Sequence, residues 1–125
     1  MHTDEMLFGE LSEQIIGCAI KVQNTLGAGF VEKVYENALA YELRMNGLAV
    51  QQQCSIQVHY EDVIVGDYVA DILVDGLVVV ELKAVKALDN VHRAQCLNYL
   101  KATGLHLCLL MNFGNPRLEF KRLVS

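Results

Sequence analysis

The chain is poor in residues that interrupt a fold. Only one proline, Pro116, occurs among 125 residues, and no linker, repeat or low-complexity segment divides the sequence. No apolar run approaches the ~20 residues that span a bilayer, and the acidic N-terminal stretch is unlike a secretory signal. We therefore expect one domain over residues 1–125, in the cytoplasm and without membrane association.

Metal-binding or disulfide patterns of cysteine are also absent from the sequence. The four cysteines form no Cys-x-x-Cys pair, and none has a histidine at the spacing of zinc ligands. All four lie among apolar neighbours, which is typical of reduced cysteines in a core. These cysteines are Cys18, Cys54, Cys96 and Cys108.

Positive charge is scarce, since ten Lys and Arg residues face fifteen Asp and Glu residues and give a net charge of −5. This balance argues against a protein that depends on non-specific DNA contacts. It does not exclude a nuclease, because acidic metal ligands lower the formal charge and bound cations restore part of it. A nuclease would still need a local basic patch, for which Arg93 and Lys101 are the substrate-binding candidates. Further candidates are Lys83, Lys86, Lys121 and Arg122.

Hydrophobic spacing predicts the order ααβββαββ. Apolar residues recur at helical spacing in the first 45 residues and then change to the alternation of strands. The expected helices span residues 5–26, 30–45 and 89–103, and the expected strands span residues 54–60, 63–74, 77–83, 105–111 and 117–123. A crossover helix between the third and fourth strands makes these two strands parallel or neighbouring. The expected fold is therefore α/β, with a central mixed sheet flanked by helices.

Charged residues interrupt the most apolar strands of this predicted sheet. Asp71 and Glu81 lie four and five residues from the hairpin signal Asp75-Gly76, which makes them close to cross-strand neighbours. Lys83 is two residues beyond Glu81 and shares its face of the strand. Charge in an apolar strand is costly unless it is paired or binds a metal. A simple Glu81–Lys83 ion pair is the alternative interpretation.

The two carboxylates suit a magnesium-dependent phosphodiesterase. Mg²⁺ prefers oxygen ligands and keeps several waters, so one or two carboxylates suffice. The ion polarises phosphate and generates hydroxide near neutral pH. Lys83 would then lie near the attacking water and the phosphate.

The helices offer further polar candidates that spacing alone leaves undecided. Glu32, near the start of the second helix, is by itself better explained as a complement to the helix dipole. Gln95 and Tyr99 share a helix face and can hydrogen-bond a nucleotide, a metal-bound water or Lys83. The alternative for this pair is a polar helix edge.

A family resemblance covers nearly the whole chain, from about Ile15 to Val124. Gly29, Glu32 and Tyr35 fill a Gly-x-x-Glu-x-x-Tyr motif. Matching stretches follow in the expected order at Ala70-Asp71, Val80–Ala84, His92–Gln95, Asn98–Gly104 and Leu109–Gly114. The chain thus resembles the family named GxxExxY after that motif, although it has Gln23 where the family often has His, and Ala28 where it often has Pro.

The resemblance implies the restriction-endonuclease-like core of the PD-(D/E)XK superfamily. It implies Glu32, Asp71 and Glu81 as metal ligands, and Lys83 as a catalytic residue. Gln95 and Tyr99 look like the catalytic Gln-x-x-x-Tyr motif of recombination-type exonucleases.

The expected function is therefore a Mg²⁺-dependent nuclease, with Mn²⁺ able to substitute and DNA as the expected substrate. One alternative is a catalytically silent module of the same fold that binds nucleic acid or protein. A homodimer with a role in assembly stays open as a third interpretation.

Overall fold

The computed structural model describes the backbone of residues 2–125 and the side chains of residues 8–125. The described elements follow the predicted order ααβββαββ. They are α1 (His2–Leu26), α2 (Glu32–Met45), β1 (Val50–Tyr60), β2 (Val63–Val74), β3 (Val78–Lys83), α3 (Asn90–Thr103), β4 (Leu107–Asn112) and β5 (Glu119–Val124). Within residues 2–125, no helix combines the length and apolarity needed to cross a membrane.

The five strands form one mixed sheet in the order β1-β2-β3-β4-β5. Strands β3 and β4 run parallel, from Val78 beside Leu107 to Lys83 beside Asn112, and the other neighbours are antiparallel. Every residue of β4 is buried, as is all of β3 except Lys83. This burial on both faces explains the near-continuous apolar runs of the two strands. The expected α/β fold, with a central mixed sheet flanked by helices, is confirmed.

Helices cover both faces of the sheet. On one face, Ile15 of α1 and Leu39 of α2 belong to a core cluster with Val80 of β3. On the other face, Cys96 of α3 packs in a second cluster with Val79 of β3. Because successive side chains of β3 point to opposite faces of the sheet, this strand contributes residues to two separate hydrophobic cores.

The alternation of β2 changes at Asp71. Ala70 packs on the α3 side of the sheet, whereas Ile72 packs on the α1–α2 side. In β1, Gln53 opposite this point has a positive φ of 54°, and the ladder skips it between the pairs Gln52–Ile72 and Cys54–Ala70. Such an irregularity twists and bends a strand pair. It also coincides with the last β2–β3 pair, Ile72–Val80, so β2 and β3 separate there.

The strand boundaries differ from the sequence prediction mainly at β1, which begins at Val50 rather than residue 54. Three consecutive glutamines, Gln51, Gln52 and Gln53, precede Cys54 and show no alternation of apolar and polar residues. Pairing with β2, from Val50 opposite Val74 onward, supplies the strand geometry that the local sequence does not signal.

The segment after Lys83 is fixed against the end of β4. The Asn112 side chain accepts hydrogen bonds from the Val85 and Gly114 amides at 3.0 Å each, and it donates to the Val85 carbonyl at 2.9 Å. A Cβ added at Gly114 would lie 2.1 Å from the Val85 carbonyl oxygen. Glycine is therefore required for this approach, which anchors the chain two residues beyond Lys83.

We expect Gly114→Ala to lower the free energy of unfolding by about 2–4 kcal/mol, because the added methyl must displace backbone rather than a flexible side chain. The matched control is Gly17→Ala in α1, where nothing lies within 4 Å of the added Cβ. That change should raise the stability by up to about 1 kcal/mol. Urea unfolding followed by circular dichroism measures both. Equal unfolding midpoints for Gly114→Ala and the unsubstituted protein would contradict the close approach.

Candidate active site

Asp71 and Glu81 lie side by side where β2 and β3 separate. The Asp71 amide donates a hydrogen bond to Glu81 Oε1 at 3.2 Å, and the Leu82 amide donates to Asp71 Oδ2 at 2.9 Å. Just beyond the last ladder pair, Ile72–Val80, each carboxyl group thus accepts a hydrogen bond from a backbone amide of the neighbouring strand. Both side chains are oriented by backbone, which keeps the pair together.

Burial raises the pKa of both carboxyl groups, and the Asp71 charge raises that of Glu81 further. Glu81 is only 4 % exposed, and burial followed by the Asp71 charge raises its pKa to about 8. Burial also raises the pKa of Asp71, against the opposing effect of the Leu82 amide bond. Lys83 favours the ionised form of both groups. The pair therefore binds either a proton or a cation more readily than exposed carboxylates do.

Lys83 is partly exposed and does not form the simple ion pair considered above. In the part of the chain that the structure describes, no salt bridge joins Lys83 to Glu81. Lys83 instead lines a cavity of about 400 Å³ together with Gln95 and Tyr99. Its side chain is available to a molecule that enters this cavity.

Gln95 and Tyr99 form one hydrogen-bonded unit between α3 and β2. Gln95 Nε2 donates to the Tyr99 hydroxyl at 2.9 Å, and that hydroxyl donates to the Val69 carbonyl at 3.2 Å. Burial, with the Glu81 charge second, raises the pKa of Tyr99. Tyr99 therefore stays protonated, and the influence of Glu81 shows that this unit lies near the carboxylate pair.

Glu32 is exposed in the first turn of α2, and the structure does not bring it to the carboxylate pair as a third ligand. Among the described residues, no group of three or more His, Cys, Asp or Glu side chains could hold a metal ion. The charge of Glu32 does reach the pair, since it contributes to the raised pKa values of Asp71 and Glu81. The site therefore has two adjacent carboxylates, Asp71 and Glu81, and Mg²⁺ is usually bound by one or two protein carboxylates.

Glu36, one turn after Glu32, has a structural position that its sequence context does not reveal. Its buried carboxylate accepts hydrogen bonds from Gln52 at 2.7 Å, Gln53 at 2.8 Å and Lys33 at 3.1 Å. These bonds tie α2 to the irregular part of β1 that faces Asp71. The only available signal was its spacing of four from Glu32, and two of its three partners, Gln52 and Gln53, come from β1.

Tyr35 and His92 are both occupied by contacts with the fold. The Tyr35 hydroxyl donates to the Gly27 carbonyl at 2.5 Å and accepts from the Phe30 amide at 3.2 Å, so it holds the turn that precedes Glu32. His92 Nδ1 accepts from the Asp89 amide at 3.2 Å as part of the capping box of α3. The motif tyrosine thus positions the helix that carries Glu32.

The two substrate-binding candidates on α3 are separated by the structure. Arg93 is exposed and is not among the residues that line the cavity beside Lys83. Lys101 lines a second cavity of about 320 Å³. Their spacing of eight residues along α3 corresponds to about 12 Å, so they do not form one compact basic patch.

Comparisons with known proteins agree with this arrangement. A crystal structure of an alkaline exonuclease (LHK-Exo) from Laribacter hongkongensis superposes with a TM-score of 0.55 at 15 % sequence identity. The match covers 74 % of this chain and 55 % of that one, so this chain spans little more than half of the exonuclease. A search of curated proteins finds no significant match.

A family model described as the PD-(D/E)XK nuclease superfamily matches residues 9–123. That range includes the carboxylate pair, Lys83 and the Gln95–Tyr99 unit, and it covers most of the chain. The chain therefore belongs to the PD-(D/E)XK nuclease superfamily.

Proposed function

We propose that this chain is a divalent-metal-dependent nuclease that hydrolyses phosphodiester bonds in nucleic acid, with DNA as the first substrate to test. The observation that carries the proposal is the hydrogen-bonded Asp71–Glu81 pair beside Lys83, in which Glu81 is buried and Asp71 is partly exposed. We further propose that the chain belongs to the GxxExxY family within its superfamily, on the strength of Gly29, Glu32 and Tyr35.

The carboxylate pair fits a divalent cation. Asp71 and Glu81 are adjacent and supply carboxylate oxygens as ligands; Glu81 is buried and Asp71 is partly exposed. Burial is the main cause of their raised pKa values, and a bound cation would offset its effect by favouring the ionised forms. When bound, Mg²⁺ or Mn²⁺ would polarise the phosphate and lower the pKa of a water. Glu32 would support the site through water from the start of α2, since its charge acts on both carboxylates.

Lys83 would stabilise the phosphate or orient the attacking water. In the hydrolysis, the water oxygen bonds to phosphorus, the ester P–O bond breaks, and the departing oxygen takes up a proton. Gln95 lies with Lys83 along the same cavity, where its amide can orient substrate. Tyr99, which stays protonated, would hold Gln95 in place through their 2.9 Å bond. Lys101 and the exposed Arg93 are the proposed contacts to phosphates farther along the strand.

The superfamily and the structural neighbour support a nuclease, but the similarity to the neighbour establishes the fold alone. Nucleases of this superfamily generally use divalent ions, which agrees with the two carboxylates. Exonuclease action is a property of the Laribacter protein, and only part of that protein is matched.

A catalytically silent binding module of the same fold is the second candidate. The observation that favours it is the position of Glu32, which the structure leaves outside the Asp71–Glu81 pair. A third candidate is a homodimer, favoured by the exposed apolar residues Tyr60, Val63 and Val65 on the β1–β2 hairpin. Light scattering would measure the oligomeric state.

We expect Mn²⁺-dependent cleavage of single- or double-stranded DNA that is lost on chelation. Asp71→Ala and Lys83→Ala should each lower the rate by at least about 100-fold, because each removes charge stabilisation at the phosphate. Lys21→Ala, on the opposite face of the sheet, is the control with the same change of charge as Lys83→Ala. Cleavage is measured on gels with labelled DNA. If the Asp71→Ala and Lys83→Ala variants cleaved DNA as fast as the unsubstituted protein, the proposed site would be refuted.

We also expect the free energy of unfolding to fall as the pH rises from about 4.5 to about 8 in the presence of a chelator. In this range the folded state retains a proton on Glu81, whose ordinary pKa is 4.5 and whose folded pKa is about 8. The unfolded state has already lost that proton, so deprotonation disfavours folding as the pH rises. The expected loss over this range is on the order of 4 kcal/mol.

Denaturant unfolding at several pH values measures this effect. Glu81→Gln should remove most of the decline, whereas Glu13→Gln, at an exposed position of α1, should leave it unchanged. Mg²⁺ should restore stability near pH 8 to the unsubstituted protein and not to Glu81→Gln. The same decline in both variants would show that Glu81 is not its source.

A further inference from the structure

A continuous groove leads from Lys83 along α3. The cavity of about 400 Å³ beside Lys83 and the cavity of about 320 Å³ beside Lys101 share two lining residues, Tyr68 and Asn98. Lining residues on α3 run from Val91 to Ala102, which is about 16 Å of helix. The β1–β2 hairpin forms the other wall, through Val58, His59 and Tyr68.

The charge of this groove is opposite to that of the chain. No Asp or Glu occurs among the described residues that line either cavity, although the chain has fifteen acidic residues and a net charge of −5. Lys83 lies at one end and Lys101 at the other, and His59 and His92 are the remaining ionisable groups apart from tyrosines. Such a groove is complementary to a polyanion.

An oriented aromatic ring lies where the two cavities meet. Tyr68 is 47 % exposed, and its ring packs edge-on against Tyr99 with centroids 6.1 Å apart and an interplanar angle of 67°. Tyr99 is itself held by Gln95 and by the Val69 carbonyl. The Tyr68 ring is thus partly open to solvent and supported from one side, as a stacking surface for a flat ligand requires.

We propose that this groove binds an unpaired nucleic-acid strand, with a base stacked on Tyr68 and a phosphate at Lys101. The strand would approach Lys83 and the carboxylate pair, so this inference rests on the proposed function. A positive track with an aromatic platform is the usual basis for binding single strands. Within a duplex the bases are paired and stacked on each other, and their faces are not free for Tyr68.

The test is fluorescence anisotropy with a labelled oligo(dT) of about twelve nucleotides, with EDTA present to prevent cleavage. Tyr68→Ala should weaken binding about tenfold, and Tyr68→Phe should retain it because the ring remains. Lys101→Ala should weaken binding and reduce the slope of log K against log salt by about 0.7. Oligo(dT) annealed to oligo(dA) should bind more weakly than the single strand.

The matched controls are Tyr41→Ala, an exposed tyrosine of α2, and Lys21→Ala of α1, both on the opposite face of the sheet. They should leave oligo(dT) binding unchanged. Absence of binding by the unsubstituted protein, equal losses in the controls, or unchanged binding in Tyr68→Ala would each overturn the groove assignment.

The measurement also separates this inference from the proposed nuclease activity. Tyr68-dependent binding without cleavage in Mn²⁺ would support the groove and refute the nuclease. Cleavage with unchanged binding in Tyr68→Ala would support the nuclease and refute the groove.

Discussion

Two hydrogen bonds between side-chain carboxyl groups and backbone amides join β2 and β3 at the point where the two strands separate. Glu81 accepts from the Asp71 amide, and Asp71 accepts from the Leu82 amide. Each side chain is therefore fixed by the backbone of the neighbouring strand, which keeps the buried Glu81 carboxyl group beside the partly exposed Asp71 carboxyl group. Without these two hydrogen bonds, either carboxyl group could rotate toward solvent, and the repulsion between the two groups would be smaller.

The surrounding structure maintains that separation of the strands. On one side, the positive φ of Gln53 interrupts β1 opposite Asp71, and Glu36 of α2 bonds this irregular segment. On the other side, Asn112 fixes the backbone at Val85 just beyond Lys83. Hydrogen bonds from α2 and β4 thus hold the backbone segments that lie on either side of the carboxylate pair and Lys83.

The central part of the site was accessible to sequence reasoning because it depends on local geometry. Asp75 and Gly76 both adopt positive φ, 53° and 67°, as the turn signal predicts, but Val74 pairs with Val78, so three residues rather than two connect the strands. Counting outward from the turn made Asp71 and Glu81 close to cross-strand neighbours, and the third residue of the connection brings them opposite each other. Alternation puts Lys83 on the face of Glu81. The near-continuous apolar runs of β3 and β4 likewise indicated central strands.

Features that depend on long-range contacts were not accessible in this way. The position of Glu32 outside the carboxylate pair follows from how α2 packs on the sheet, and the three bonds to Glu36 come from α2 itself and from β1. The early start of β1 is imposed by pairing with β2 rather than by its glutamines. The groove at Tyr68 joins residues of the β1–β2 hairpin to α3, which lies about thirty residues later in the sequence.

The central claim is that Asp71 and Glu81 together hold one divalent ion. Isothermal titration calorimetry with Mn²⁺ near pH 7, repeated in two buffers of different ionisation enthalpy, tests it most directly. We expect one ion per chain with release of a proton, because the ion displaces the proton that Glu81 retains at this pH, and loss of binding in Asp71→Asn. Absence of binding, or equal binding in Asp71→Asn, would contradict the claim.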